Sequence, residues 1–294
     1  MVWTVSAWLL VALAVPAAAA GQLEGSGHWA AGAEGSVAGR YNPVGVSAAL
    51  RTTLRYRFFP PGHPLRQPGL RQALFAPSSV GLAATVDANP AFVRGGVGVE
   101  FMPAAVWRTR ITYQAAQTFG TFGYMTQFPS RGDAFDGYAR WWRMRAGGRA
   151  TPRIVQRLVA DTQWQARVWR FIALDLLTVD GNWAGADGWF YNGEYDLLVH
   201  GRFEVVVRNI GLVALSVLDR AGLPELSVGM FHGVAHAWRS RGQNQQLGAA
   251  VIIGPPLRGV VRNAVSVILL AGMHTQSRSR ELTPYMVGLA TVSF

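Results

Sequence analysis

Arginines at alternate positions are the side chains in this sequence with the clearest capacity for chemistry. They share one face in each of several segments where polar and apolar residues alternate. A guanidinium keeps its charge at any accessible pH, so a group of arginines supplies a fixed positive field that attracts anions. The alternation predicts that eight of them line one interior surface: Arg51, Arg55, Arg57, Arg108, Arg110, Arg143, Arg145 and Arg202.

The composition fits such a surface and argues against nucleic acid. All 27 basic residues are arginine, and with 16 acids the net charge is +11. Nucleic-acid-binding modules concentrate basic residues in patches and runs, whereas these arginines are spread mostly singly along the chain. Half of the residues are hydrophobic and 15% are charged, which excludes a disordered chain. The lack of cysteine excludes a disulfide scaffold and a cysteine-ligated zinc site.

The histidines are the other candidates for catalysis. His232 and His236 lie on one predicted strand, with Ser240 four residues further on. Residues four apart on a strand are roughly 13 Å apart, too far to share a proton or a metal ion. Val234 and Trp238 stand two residues after the histidines, so no His-x-Ser pair exists. We therefore predict no catalytic residue, no metal ligand and no cofactor, and we interpret these histidines as membrane-interface residues beside an aromatic girdle.

The elements that position the arginines are predicted to be strands, because the polarity alternates with period two. Between 194 and 208 one face is mostly polar and includes Arg202 and Glu204, and the other is apolar and includes Phe203 and Val205. A soluble sheet buries its apolar face under a second layer. A barrel in a membrane turns that face to lipid and its polar face to a wet lumen.

The first twenty residues predict a secretory signal peptide. Residues 8–15 form the apolar core, Pro16 ends it, and small residues up to Ala20 give the cleavage pattern. This core is too short for a helix that spans a bilayer. The most apolar later runs, 210–218 and 264–273, are about half of the roughly twenty residues that a spanning helix needs, but they match a tilted transmembrane strand.

The last ten residues carry a resemblance to a known family. The chain ends in Phe294, and Val292, Ala290, Gly288 and Met286 occupy the alternate positions before it. This pattern resembles the terminal strand of bacterial outer-membrane β-barrel proteins. The resemblance implies a location in the outer membrane of a Gram-negative bacterium, in contact with outer-membrane lipid. It also implies that the outer-membrane assembly machinery recognises this strand through a signal that includes Phe294 and Val292.

The expected fold is therefore all-β: a transmembrane antiparallel β-barrel of about twelve strands, with ten to fourteen as the range, in a single domain over 21–294. Bacterial single-chain barrels have even strand numbers, and thirteen segments alternate. Treating 27–40 as a lead-in gives twelve, and splitting 152–177 into a hairpin gives fourteen; the unbroken phase from Arg153 to Arg167 favours twelve. The segments are 27–40, 45–58, 79–88, 92–102, 105–118, 137–147, 152–177, 191–208, 210–219, 226–240, 244–254, 261–276 and 284–294.

Three functions fit these features. The first is a pore or transport protein for small solutes, anions among them. The second is a lipid hydrolase that resembles outer-membrane phospholipases or lipid A deacylases, although their His–Ser pair is missing here. The third is a structural or polysaccharide-export barrel. A barrel of this size is narrow enough for side chains to fill much of it, so arginine–carboxylate networks and inserted loops are the alternative to an open lumen.

The location is directly testable. We expect the mature protein to fractionate with outer membranes and to show heat-modifiable mobility on gels, because a closed barrel keeps its compact shape in detergent until it is heated. Recovery as a soluble periplasmic protein without detergent would contradict the barrel prediction.

Overall fold

The alternating segments form strands because each places an apolar row on one side and a polar or small row on the other. The computed structural model describes residues 27–41, 45–60, 63–64, 77–121, 124–133, 147–148, 152–220, 223–254, 265–277 and 282–293. The predicted signal peptide, Arg143, Arg145 and Phe294 lie outside these described residues. Within the described part of the chain, no helix is long and apolar enough to cross a membrane.

Fifteen strands make up the described structure. Their bounds are β1 (Trp29–Tyr41), β2 (Gly45–Arg57), β3 (Ser79–Asn89), β4 (Phe92–Ala104), β5 (Trp107–Thr118), β6 (Gln127–Phe128), β7 (Arg153–Val168), β8 (Phe171–Trp183), β9 (Trp189–Asn192), β10 (Leu197–His200), β11 (Glu204–Arg220), β12 (Leu223–Ala237), β13 (Gly242–Ile253), β14 (Val265–Ser277) and β15 (Pro284–Ser293).

Twelve of these strands close into an antiparallel barrel, which confirms the predicted fold. The order around the barrel is β1-β15-β14-β13-β12-β11-β8-β7-β5-β4-β3-β2. The last strand pairs with the first over eight residues, from Glu34 opposite Ser293 to Tyr41 opposite Met286. The other three strands, β6, β9 and β10, form a separate small sheet.

The predicted number of strands is right, but several predicted segments are wrong. The supposed lead-in 27–40 is the first barrel strand, β1. The segment 152–177 is a hairpin, because Trp169 takes a positive φ of 54° and turns the chain between β7 and β8. The segment 191–208 is interrupted, since β9 and β10 pair with each other as a hairpin and the barrel strand β11 starts only at Glu204.

The two faces of the barrel differ as a membrane barrel requires. Large apolar side chains point outward on every wall, among them Leu82, Val97 and Val213, each at least 60% exposed. Aromatic side chains are exposed near both rims: Phe203 and Trp238 near one, and Trp29, Tyr56, Trp107 and Trp169 near the other. An outward apolar band between aromatic girdles is typical of transmembrane barrels.

Glycines let two strands approach closely where the wall curves. Gly248 on β13 and Gly272 on β14 are register partners on the inner face. A Cβ atom on Gly248 would lie 2.2 Å from the carbonyl oxygen of Ala271, and one on Gly272 would lie 2.1 Å from that of Leu247. Only glycine fits these positions, and inward glycines of this kind allow a sheet to bend into a closed barrel.

The lumen is divided into two different walls. Most of the inward arginines project from β1, β2, β4, β5 and β7, and Arg208 of β11 lies on an inward row as well. The opposite wall carries an apolar cluster that includes Tyr285 of β15: Ile172, Leu212, Ala214, Phe231, Ala250 and Ile252. Most of the positive charge inside the barrel is therefore on one side.

The outward face generates a test of the membrane position. Val97 lies in the middle of β4, and Val93 lies on the same face near one end of that strand. We expect Val97→Arg to cost roughly 2–4 kcal/mol of folding free energy and Val93→Arg about 0–1 kcal/mol, because the cost of a lipid-facing arginine falls toward the interface. Urea unfolding in lipid vesicles measures both. Equal costs at the two positions would show that β4 does not cross a bilayer.

Candidate functional site in the lumen

One group of inward arginines is organised around a single buried carboxylate. Glu100 on β4 is 2% exposed. Arg55 of β2 donates from Nε to its Oε1 at 3.0 Å, and Arg110 of β5 donates to its Oε2 at 3.3 Å. Arg108 of β5 adds an ion pair to the same oxygen at 3.9 Å. Three guanidiniums from the two strands that flank β3 and β4 therefore converge on a single carboxylate.

Positive charge exceeds negative charge around Glu100. Arg51 forms an ion pair with Glu34 at 3.6 Å, but its buried Nε has no hydrogen-bond partner among the described residues. Arg108 also donates to Oε1 of Gln163 at 2.7 Å, a neutral acceptor. Four arginines thus face Glu34 and Glu100, and the balance remains positive even when Asp161, which accepts from Thr178 at 2.7 Å, is included. We call Arg51, Arg55, Arg108, Arg110 and Glu100 the basic cluster.

The second group of arginines holds an inserted hairpin. The hairpin comprises β9, β10 and the tip between them, and Glu194 lies at the tip. Arg94 of β4 donates to Oε1 of Glu194 at 2.8 Å, and Arg157 of β7 donates to Oε2. Arg157 also pairs with Asp180 of β8, and Arg94 with Asp87 of β3. The carboxylate of the hairpin therefore completes two ion-pair networks that begin on the barrel wall.

The tip is bonded to both sides of the barrel. Arg40 of β1 donates to the carbonyl oxygens of Gly193 and Glu194. On the other side Asn244 of β13 donates to the carbonyl oxygen of Tyr195 at 3.1 Å. The Tyr195 hydroxyl donates to Asp180 at 2.6 Å. Burial and the adjacent Asp180 carboxylate raise the pKa of Tyr195 well above its usual range, so this hydroxyl remains a donor at neutral pH.

Apolar packing and backbone bonds anchor the base of the hairpin. Phe190 is fully buried and packs with Leu197 and Val199 against wall residues that include Val206. Glu204, at the start of β11, accepts from the backbone N–H groups of Arg239 and Ser240 at 2.6 and 3.0 Å. The hairpin is thus a folded element inside the barrel, held by side chains from β1, β4, β7 and β13. An inserted segment is one feature of the closed-lumen alternative that the sequence left open.

The structure places five of the predicted arginines on inward positions and moves one elsewhere. Arg51, Arg55 and Arg57 face inward on β2, and Arg108 and Arg110 on β5. The prediction for Arg202 is wrong. It lies between β10 and β11, is exposed, and pairs with Asp187 at 2.7 Å, because the chain there leaves the hairpin instead of running along a barrel strand.

Two further predictions near these sites have mixed outcomes. Phe203 is exposed beside Trp183, with ring centroids 6.2 Å apart, and Val205 is the second residue of β11, so neither occupies a mid-strand position. Glu204 is buried, as an inward position requires. Val292 lies opposite Gly35 and Val265, on the outward row of β15. Its role in an assembly signal, together with that of Phe294, stays a prediction.

The sequence did not identify Glu194 as the carboxylate that joins the ion pairs of Arg94 and Arg157. Arg40 and Arg94 were also not among the predicted lining residues. A signal for the hairpin was present, since Asn192-Gly193 interrupts the supposed strand and Asn-Gly is a strong short-range hairpin signal. A segment with a turn in its middle cannot continue as a barrel strand.

The predicted histidine candidates are not placed beside a nucleophile. His232 and His236 point outward, and their register partners on β11 and β13 are Gly211, Val207, Leu247 and Gln243, none of which carries a hydroxyl. Ser240 is buried and bonded through its backbone to Glu204. Within the described ranges no three acidic or histidine side chains are grouped as metal ligands.

Comparisons with known proteins inform only the fold. No protein-family profile matches the chain, and no curated protein sequence matches it. Among solved structures it is similar to LpxR from Salmonella typhimurium (11% identity, 89% of this chain and 99% of that one, TM-score 0.36). It is also similar to the NanC porin (6%, 89% and 98%, 0.39) and to the outer membrane protein Omp33 of Acinetobacter baumannii (12%, 90% and 97%, 0.36). Such values transfer no activity, substrate or partner.

The chain's own geometry defines its class. Twelve antiparallel strands close without an edge, the outward face is apolar between two aromatic rims, and charged side chains are gathered in the lumen. Closed barrels of this kind are the β-structures that span membranes, and an even strand number is typical of bacterial outer membranes. By architecture the chain is a closed twelve-stranded β-barrel of the membrane-spanning type.

The basic cluster predicts a stability effect. We expect Glu100→Gln to lower the free energy of unfolding by roughly 3–5 kcal/mol, because it leaves buried guanidiniums without their carboxylate. Asp187→Asn removes the exposed partner of Arg202 and should cost less than about 1 kcal/mol. Urea unfolding of both variants in vesicles provides the comparison. A Glu100→Gln barrel as stable as wild type would mean that the cluster is solvated enough to need no counter-charge.

Proposed function

We propose that this protein is an outer-membrane pore for small anionic solutes and that the inserted hairpin holds the lumen closed in the state described here. The observation that carries the proposal is the excess of arginine over carboxylate in the basic cluster. Charged side chains in a lumen set the selectivity of a barrel. The proposal includes secretion by the signal peptide, with cleavage near Ala20, before assembly into the membrane.

The position of the cluster suits anion selection. Its four arginines come from β2 and β5, on either side of β3 and β4, so they face the same part of the lumen, opposite the apolar cluster. Low-dielectric surroundings strengthen the field of such a wall, whereas salt at 0.15 M screens charges beyond about 8 Å. A small anion passing along the wall exchanges water for guanidinium groups and stays within the screening distance. The field therefore acts locally and is strongest at low ionic strength.

The hairpin offers a physical basis for opening. Its tip is held by Glu194, whose two carboxylate oxygens bind Arg94 and Arg157. An anionic solute presents the same chemistry to these arginines and can compete with Glu194 for them. Withdrawal of the tip would leave each arginine with its wall partner, Asp87 or Asp180, so the wall keeps part of its ion pairing. A non-conducting barrel is the second candidate, favoured by the complete burial of Phe190 and Tyr191 in the hairpin.

Planar-bilayer recording of the full chain tests the proposal. We expect Glu194→Gln to raise the fraction of time spent conducting, because it removes the charge that holds the tip to two arginines. In that background Arg108→Gln with Arg110→Gln should shift the reversal potential in a salt gradient from anion-selective toward neutral. The matched control is Arg202→Gln with Arg239→Gln, which removes the same charge from exposed positions and should leave the reversal potential unchanged.

Three outcomes would contradict the proposal. A conducting barrel that prefers cations would rule out anion selection by the basic cluster. A barrel that stays closed in the Glu194→Gln variant, while remaining heat-modifiable and folded, would support the non-conducting candidate. An equal shift in the exposed double variant would assign the selectivity to overall charge and not to the lumen.

A further inference from the structure

The outer wall of the barrel holds a groove that the proposed pore does not use. Its volume is about 740 Å³, and it runs across β7, β8, β11, β12 and β13. Small residues form the floor: Ala166, Ala173 and Gly211. Large apolar residues form the sides: Trp164, Val213, Met230 and Leu247.

Two ionisable side chains enter this groove from opposite sides. Asp175 of β8 and His232 of β12 are both register partners of Gly211 on β11, so the three form one row across the outer face. A Cβ atom on Gly211 would lie 3.8 Å from Oδ2 of Asp175, so the carboxylate leans over the glycine. The absence of a side chain at Gly211 leaves the space between the carboxylate and the imidazole open.

The polar groups of the row are incompletely satisfied. Asn209 donates from Nδ2 to both carboxylate oxygens of Asp175, at 3.1 and 3.0 Å. His232 is exposed and makes no hydrogen bond to the described protein. Its neighbours along the strand on the same face, Met230 and Val234, are apolar. Ionisable groups that face hydrocarbon are costly and rare, and they are usually found where they serve a function.

From this row we infer a binding site for a lipid whose acyl chain carries a hydroxyl group. The hydroxyl donates to the Asp175 carboxylate and accepts from the His232 imidazole, while the hydrocarbon of the chain lies against Trp164 and Met230. A hydroxyl suits the site because it supplies one donor and two acceptor lone pairs on an otherwise apolar molecule. Adjacent strands are about 4.8 Å apart, so the Cα atoms of Asp175 and His232 are roughly 10 Å apart, which leaves room for one such group between the side chains.

Lipid is the occupant because of where the groove lies. A concave surface in the lipid-facing wall is filled by the surrounding hydrocarbon, which is present at high concentration in the membrane. Its small floor and tall sides suit a single chain. The flat face of a second barrel would leave the floor empty. The site is on the outside of the barrel, so the inference does not depend on whether the lumen conducts.

Competition between two matched lipids tests the inference. The purified full-length barrel is exchanged in detergent with equal amounts of a phosphatidylethanolamine whose acyl chains carry a β-hydroxyl and of the same lipid without it. Native mass spectrometry then measures the two bound fractions. We expect the hydroxylated lipid to be retained about tenfold more, the ratio given by a net gain of one to two hydrogen bonds.

Three variants locate the preference. His232→Leu should bring the ratio close to one, because it removes one partner of the hydroxyl and keeps the apolar surface. Gly211→Leu fills the floor and should reduce retention of both lipids. Gly95→Leu is the matched control, since Gly95 also faces outward, on β4, with nothing within 4 Å of an added Cβ atom. It should behave as wild type.

Folding and oligomeric state are checked by heat-modifiable mobility and by the mass of the complex. Equal retention of the two lipids by the wild type would overturn the inference, as would a preference that survives both His232→Leu and Gly211→Leu. A dimer that Gly211→Leu dissociates would assign the groove to a second copy of the chain and would also overturn it.

Discussion

In hydrocarbon no water is available to backbone N–H and C=O groups, so a sheet that crosses a membrane must close on itself. Closure here depends on the pairing of β1 with β15, which fixes the register of both ends of the barrel. Once the register is fixed, the two-residue period decides the direction of every barrel side chain. Apolar rows are turned to lipid, and every arginine on an opposite row is forced into a narrow interior.

That confinement explains the carboxylates of the lumen. A guanidinium in a narrow interior loses part of its hydration, and a buried charge is tolerated only when it is paired and hydrogen-bonded. Glu100 pairs with three arginines, and Glu194 pairs with two that already have a carboxylate on the barrel wall. Buried ion pairs contribute little net stability compared with apolar packing. Their value here is specificity, because they fix the position of the hairpin inside the barrel.

Much of the barrel could be predicted from the sequence, because a two-residue alternation of polarity identifies a barrel strand. The inward positions of Arg55 and Arg110 follow from alternation alone. Alternation fails where a turn lacks its usual residues: Trp169 and Arg170 join β7 to β8 without glycine, proline or asparagine, and the phase gave no sign of a break.

The opposite failure occurred in the hairpin. There Asn192-Gly193 did mark a turn, but the alternating polarity around it was taken for a barrel strand. Pairing partners decide between these cases, and partners far apart in the chain cannot be obtained from local periodicity. Glu194 reaches Arg94 across one hundred residues of sequence. The placement of the hairpin inside the barrel therefore could not be predicted from local periodicity.

The two-residue period also shows which residues of the outer surface need an explanation. On a lipid-facing row each apolar residue follows from the medium alone and carries no information about function. Asp175, Asn209 and His232 depart from that rule on three neighbouring strands, and they do so around a glycine whose missing side chain brings them into one groove. A single outward polar residue would only add the free-energy cost of placing a polar group in hydrocarbon. A carboxylate and an imidazole that share an open space in an apolar wall form a recognition surface, since each supplies what the other lacks for binding a hydroxyl in hydrocarbon.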